Sequence, residues 1–136
     1  MKVIIVGGVA GGATAAARLR RLDESAEITI IERSGYISYA NCGLPYYIGG
    51  VITRKEDLTL QTPESFWKRF RIQALVNQEV IRIRREEKKV QIRDLKTGET
   101  YEEGYDKLLL SPGASAVKPA VFGVEQEGVF TLRTVE

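Results

Sequence analysis

The chain has 136 residues, of which 43% are hydrophobic, 28% charged and 8% aromatic, a composition that excludes a disordered chain, a collagen-like repeat and a disulfide scaffold. Twenty basic residues are interleaved with eighteen acidic ones for a net charge of +2, so we expect no nucleic-acid partner. Because the chain has no histidine, it cannot by itself build a Ser-His-Asp hydrolase or a zinc enzyme, and we expect no metal site.

The first third of the chain predicts a β-α-β unit. Residues 2–6 (KVIIV) are continuously apolar and end in glycines, as a strand buried on both faces does. Ala10 to Leu22 is rich in Ala, Leu and Arg without proline, which indicates a helix, and residues 27–31 (EITII) form a second buried strand that ends at Glu32. The helical crossover requires that the two strands be parallel. No stretch reaches the length of a transmembrane helix, so we expect no membrane partner.

Further along, the pattern predicts a helix and then strands. Thr62-Pro63-Glu64 has the features of a helix start, with Thr62 as N-cap and proline at the first helical position. From about residue 72 the apolar residues recur at every second position, which favours an antiparallel meander, over about residues 78–103. Residues 108–110 (LLL) then predict a last buried strand that closes with SPGA, and residues 115–136 have no clear period.

The glycine-rich turn VIIVGGVAGGATAAARLRR predicts a phosphate site. Gly7 permits a tight turn after the first strand, and Gly12 lets helix and strand pack closely. The free N–H groups and the positive end of the helix dipole suit a pyrophosphate. Val9 stands where G-x-G-x-x-G has its middle glycine, and a glycine-rich turn that binds no ligand remains the alternative.

Glu32 lies 20 residues after Gly12, at the carboxyl end of the second strand. A carboxylate there accepts hydrogen bonds from an adenosine ribose and repels a 2′-phosphate. The alternative is a solvated charge that follows a strand.

Cys42 is the only cysteine, in the segment SYANCGLPYYIGG. Its neighbours are small, polar or conformationally permissive, which favours a functional thiol over an inert core residue. A lone thiol is typical of a reducing, cytoplasmic location. Because a dithiol mechanism needs two cysteines, the partner sulfur belongs to a small molecule or Cys42 cycles through sulfenic acid.

Five segments carry a resemblance to a known family: GGVAGGATAAARLRRLDE, IIER, SYANCGLPYYIGG, YDKLLLSPGA and FTLR. Together they resemble the N-terminal flavin-binding part of the single-cysteine pyridine nucleotide-disulfide oxidoreductases, most closely the coenzyme A-disulfide reductase and persulfide-reductase group. The resemblance implies an α/β fold: a Rossmann-like FAD-binding domain with a parallel sheet plus an antiparallel meander. Residues 1–114 would be the first part of that domain, and residues 115–136 a connection toward an NAD(P)H domain that this sequence does not contain.

The resemblance also implies a set of site residues. FAD would be held by Gly7, Gly12, Glu32, Arg33, Asn41, the backbone around Val80, Ser111, Gly113 and Ala114. Coenzyme A would be held by Thr14, Arg18, Arg21, Ser38 and Asn41, while Cys42 forms the mixed disulfide. Thr14, Arg18 and Arg21 recur at spacings of four and three residues along one helix face, and arginine suits phosphates. For Arg18 a solvated basic helix face remains an alternative.

The resemblance predicts an FAD-dependent oxidoreductase that uses NAD(P)H to reduce coenzyme A disulfide or persulfide, as a homodimer, with this sequence a fragment that is inactive alone. Two departures bear on that prediction: Ala10 stands where the NADH oxidase and peroxidase branch has histidine, and Phe70 stands where some relatives have a basic residue toward the substrate phosphates. The alternatives are an NADH oxidase or peroxidase-like flavoprotein, a non-catalytic dinucleotide-binding redox sensor and a plain NAD-binding domain.

Overall fold

The computed structural model describes residues 1–136 and contains seven β-strands and three α-helices. The strands are β1 (Lys2–Val6), β2 (Glu27–Glu32), β3 (Gln73–Val76), β4 (Gln78–Arg84), β5 (Lys89–Asp94), β6 (Thr100–Gly104) and β7 (Lys107–Leu110). The helices are α1 (Ala10–Leu22), α2 (Leu44–Ile48) and α3 (Pro63–Phe70), with 3-10 turns at Asn41–Gly43 and Lys55–Leu58. None of the helices combines the length and the apolar character needed to cross a bilayer.

The predicted β-α-β unit is confirmed and forms the centre of a parallel four-stranded sheet with the order β3-β2-β1-β7. Side chains of β1 and β2 alternate between the two faces of this sheet, as the period of two requires. Val3, Ile5, Ile28 and Ile30 face α1 and α3, where they form the larger core cluster with helix residues such as Ala16.

The second face of the parallel sheet is covered by the antiparallel sheet β4-β5-β6. Ile4 and Ile31 point to this side and pack with Val90 and Ile92 of β5 in a separate buried cluster. The strands β1 and β2 are therefore buried on both faces, which explains their uninterrupted apolar sequences.

The start of α3 is as predicted from the sequence. Thr62 is the N-cap and Pro63 is the first helical residue. Thr62 Oγ1 accepts from the Ser65 N–H at 3.2 Å, and Ser65 Oγ accepts from the Thr62 N–H at 2.9 Å, so the two residues form a reciprocal capping box. Phe66 in the next turn is buried in the larger core cluster.

The predicted antiparallel meander is confirmed, and it is preceded by a strand, β3, that the sequence did not predict. β3 pairs in parallel with β2, with Ala74 opposite Ile30, and so extends the main sheet. The turn into the meander comes at Asn77, which has a left-handed φ of 57°, and the meander itself spans β4 to β6. Alternation along a strand indicates which residues share a face, but it does not indicate which strand lies beside it.

The prediction of a strand at residues 108–110 is confirmed, but the prediction that it is buried is wrong. β7 pairs only with β1, so it is the edge of the parallel sheet, and Leu110 is 57% exposed. Leu108 and Leu109 pack against opposite clusters and are half-buried. The continuous apolar sequence reflects the two covered faces, whereas the exposure comes from the open edge.

Candidate functional site

The glycine turn joins β1 to α1 in the way that the sequence predicts. Gly7 has a φ of 93°, and a Cβ at this position would overlap the carbonyl oxygen of Ser111. A Cβ at Gly12 would overlap the Gly7 carbonyl oxygen, so only glycine allows α1 to lie this close to the turn. The first turn of α1 has neither a side-chain cap nor an acidic residue. Its N–H groups are consequently available to an anion.

Glu32 connects the end of β2 to this turn. Its carboxylate is 8% exposed and accepts from the Gly8 N–H at 2.7 Å and from the Ser34 N–H at 2.8 Å. The two bonds account for the burial of the charge, because each oxygen has one charge-assisted donor. Each oxygen keeps a second lone pair with which it can accept from a ligand hydroxyl.

A cleft of about 560 Å³ opens at the carboxyl ends of the parallel strands, between the glycine turn, Glu32 and the start of β4. Most of the residues that the sequence assigns to the cofactor line it: Gly7, Glu32, Arg33, Asn41, Val80, Ser111, Gly113 and Ala114. Gly12 does not line the cleft and acts through the contact of helix and strand described above.

The structure adds residues to the cleft that the sequence did not assign, above all in the segment 133–136. Arg133 Nε donates to the Ala114 carbonyl oxygen at 2.8 Å, and a Glu136 carboxylate oxygen accepts from the Gly35 N–H at 3.0 Å. Val135 between them is buried. The motif FTLR pointed to this region, but no local pattern indicates that the segment returns to a turn more than 100 residues earlier.

Cys42 lies beside the cleft and is exposed to solvent. It is the middle residue of the 3-10 turn Asn41–Gly43, which runs directly into α2. Leu44 anchors this turn in a buried cluster with Tyr39, Leu58 and Val135. The thiol is thus held on a fixed turn next to Asn41, which lines the cleft.

Asn41 brings an unpaired acceptor to the cleft. Its Oδ1 is buried and has no hydrogen-bond partner in the protein. Burial of an unpaired carbonyl is unfavourable, so the atom calls for a donor from a molecule in the cleft. A diphosphate has only acceptors and cannot meet this need, whereas a hydroxyl or ring N–H can.

The residues that the resemblance assigns to coenzyme A lie mostly outside the cleft. An exposed face of α1 carries Thr14, Arg18 and Arg21. Neither Arg18 nor Arg21 forms an ion pair within 4 Å. Ser38 adopts a left-handed φ of 47°, and its N–H donates to the Gly8 carbonyl oxygen at 2.8 Å. Asn41 is the member of the set that reaches the cleft.

Two neighbouring residues have structural roles. Phe70 packs against the core and lies edge-on to Phe66, with 5.1 Å between ring centroids. Arg20 donates to the carbonyl oxygens of Phe70 at 2.9 Å and Arg71 at 3.1 Å, and so ties the end of α1 to the end of α3. The sequence did not distinguish Arg20 from the other arginines of α1, because the partners that tie it to α3 are backbone atoms about 50 residues away.

The glycine turn, the buried carboxylate and the cleft at the strand ends define a Rossmann-like α/β protein with a nucleotide-type site. The chain belongs to the pyridine nucleotide-disulphide oxidoreductase family, whose profile matches residues 1–136.

Three similar proteins illustrate the relationship. Coenzyme A disulfide reductase of Staphylococcus aureus strain JH9 is 46% identical over 99% of this chain and 30% of its own length. Reduced CoADR-RHD of Bacillus anthracis is 56% identical with a TM-score of 0.86, over 91% of this chain and 22% of that one. An NAD-dependent persulfide reductase from A. fulgidus is 38% identical with a TM-score of 0.90, over 98% of this chain and 25% of that one. The chain therefore spans less than a third of each.

Proposed function

We propose that the full-length protein containing this chain is an FAD-dependent oxidoreductase that uses NAD(P)H to reduce coenzyme A disulfide or coenzyme A persulfide through Cys42. Residues 1–114 form the first part of the FAD-binding domain, and residues 115–136 lead toward an NAD(P)H-binding domain. The observation that carries the proposal is the juxtaposition of an exposed thiol with a cleft whose Asn41 Oδ1 lacks a partner.

The cleft fits FAD through three kinds of group. The uncapped N-terminus of α1 offers N–H groups to the diphosphate, and the free lone pairs of Glu32 accept from the adenosine ribose. Asn41 Oδ1 accepts from a hydroxyl or N–H of the flavin half. Further contacts come from Arg33, the Val80 backbone, Ser111, Gly113 and Ala114, while Gly12 acts by keeping α1 close to the turn.

Bound FAD would supply an electron pair, which it takes as a hydride from the nicotinamide and delivers to a disulfide. The nicotinamide nucleotide itself is bound by a domain outside these residues.

Cys42 performs the sulfur chemistry. Its thiolate attacks one sulfur of coenzyme A disulfide, the S–S bond breaks, and one coenzyme A thiolate leaves and takes up a proton. With a persulfide substrate the leaving group is hydrosulfide. The mixed disulfide between Cys42 and coenzyme A then takes up two electrons and one proton, which releases the second coenzyme A thiol and restores the Cys42 thiolate. Overall, one NAD(P)H and one proton convert one disulfide to two thiols.

The substrate is held beside Cys42 by Ser38 and Asn41, and its phosphates are met by the exposed face of α1. Thr14, Arg18 and Arg21 supply a hydroxyl and two guanidinium groups there. Forked guanidinium donors match phosphate oxygens.

We propose that the full-length enzyme is a cytoplasmic homodimer.

The test is steady-state and stopped-flow turnover of the full-length protein with NADH or NADPH and coenzyme A disulfide or persulfide. We expect turnover in the wild type and its loss in Cys42→Ser, with FAD content and visible spectrum unchanged, because the substitution removes one exposed sulfur. Normal turnover by Cys42→Ser would refute the role of the thiol. A protein that binds FAD but turns over neither substrate would favour a redox sensor.

A further inference from the structure

Tyr39 is a buried phenol on the wall of the cleft that the proposed mechanism does not use. Its side chain packs with Leu44, Leu58 and Val135, the same cluster that anchors the Cys42 turn, and the residue is only 7% exposed. It nevertheless lines the cleft. The ring is thus buried while the side chain reaches the cleft, so the surroundings of the hydroxyl indicate what it can bind there.

No protein acceptor takes the proton of the Tyr39 hydroxyl. The backbone N–H of Val135 acts on the phenol as a donor, which opposes the rise of the Tyr39 pKa. The nearby carboxylates of Glu32 and Glu136 accept from the backbone N–H groups of Gly8, Ser34 and Gly35, and neither forms a hydrogen bond with Tyr39. Burial, together with the charge of Glu32, raises the pKa of Tyr39 above its usual value. The phenol is therefore protonated at neutral pH and can donate.

Arg133 supplies a second donor near the same place. It is close enough to Tyr39 for its charge to oppose the rise of the phenol pKa. Its Nε is used on the Ala114 carbonyl oxygen, whereas its terminal nitrogens donate to no protein acceptor. One of them lies 3.2 Å from the position that a Cβ on Gly113 would occupy, at the cleft wall.

Two donors without a protein acceptor on the wall of one cleft favour a ligand group that is rich in acceptor oxygens. The cleft already provides partners for the other parts of a dinucleotide, with Glu32 for the ribose hydroxyls and Asn41 Oδ1 for a donor of the flavin half. The diphosphate between them carries acceptor oxygens and negative charge, and it is the part that suits a phenol O–H and a guanidinium.

We propose that Tyr39 is a further cofactor-binding residue, whose hydroxyl donates a hydrogen bond to the diphosphate of the bound FAD at the part of the cleft that Arg133 also lines. This inference rests on the proposed function, because it takes FAD as the occupant.

The experiment is a binding titration with the full-length protein freed of FAD, in the wild type, Tyr39→Phe and Tyr36→Phe. Tyr36 is a matched control because it packs against the same cluster and does not line the cleft. FAD affinity is measured from the change in flavin fluorescence, and ADP and adenosine are tested as competitors. ADP carries the diphosphate, whereas adenosine does not.

We expect Tyr39→Phe to weaken FAD and ADP by about tenfold each, as the loss of a hydrogen bond to a charged group does, and to leave adenosine unchanged. Tyr36→Phe should match the wild type in all three. Equal affinities in Tyr39→Phe and wild type, or equal losses in both variants, would overturn the inference. A loss for FAD without a loss for ADP would also overturn it, because the hydroxyl would then contact the flavin half. Failure of the wild type to bind FAD would instead overturn the proposed function.

Discussion

Replacement of Glu32 by glutamine tests whether this carboxylate holds the glycine turn in place. The two carboxylate oxygens of Glu32 accept from the N–H groups of Gly8 and Ser34 at 2.7 and 2.8 Å. Glutamine has the same shape but only one acceptor oxygen, so its NH₂ group must face one of the two N–H donors. The variant therefore loses one charge-assisted bond, weakens the other and leaves a buried donor unpaired.

Each hydrogen bond to a charged group contributes about 1.5–3 kcal/mol, and an unpaired buried donor costs about 1–3 kcal/mol. Because Glu32 is only 8% exposed, water can replace little of the lost hydrogen bonding. We expect a local loss of about 2–4 kcal/mol, so the amides of Gly8 and Ser34 should exchange with solvent about 30-fold faster or more.

The assay is amide hydrogen exchange by mass spectrometry on the full-length protein without FAD. Glu27→Gln is the matched control, because Glu27 lies on the same strand and forms only an exposed ion pair with Lys2 at 3.8 Å. Such a pair contributes little, so exchange near Gly8 and Ser34 should stay as in the wild type. If Glu32→Gln exchanged no faster than Glu27→Gln, the carboxylate would not hold the turn.

Two further predictions concern packing and acid stability. Gly12→Ala should destabilise the folded protein by about 3 kcal/mol, because its Cβ would overlap the Gly7 carbonyl oxygen. Gly11→Ala is the control, since the nearest atom to its Cβ is a rotatable serine hydroxyl at 2.6 Å. Equal thermal midpoints for the two variants would contradict the prediction. The pKa of Asp94 lies below its ordinary 3.8, chiefly because the Thr97 N–H donates to the carboxylate. The stabilisation of the fold by the Asp94 carboxylate should be complete above pH 3.8 and be lost as the pH falls through the folded pKa. Acid denaturation followed by circular dichroism should therefore be less steep in Asp94→Asn than in the wild type. Identical curves would contradict the assignment.

The periodicity of the sequence was sufficient for most of the elements, but not for the place of two strands. The apolar residues 2–6 and 27–31 indicated strands covered on both faces, and the structure has them at the centre of the parallel sheet. The strand β3 was not predicted, and β7 was taken as buried. Both errors concern the pairing of strands that are distant in sequence, and such pairing is decided by packing between distant segments.

The features of the site also fall into two groups, those that the local sequence indicated and those that only the fold created. The glycine turn, Glu32 and the Cys42 segment were recognisable because each depends on local chemistry: a backbone that tolerates no side chain, a carboxylate at a strand end, and a thiol among small neighbours. The contacts of Arg133 and Glu136, the burial of Tyr39 and the unpaired Asn41 Oδ1 were not recognisable. They depend on segments that meet only in the fold: Arg133 reaches Ala114, Glu136 reaches Gly35, and Val135 packs with Tyr39. Local sequence sets the conformation of a turn, whereas a cleft exists only between segments, so its full set of donors and acceptors is fixed by the tertiary fold.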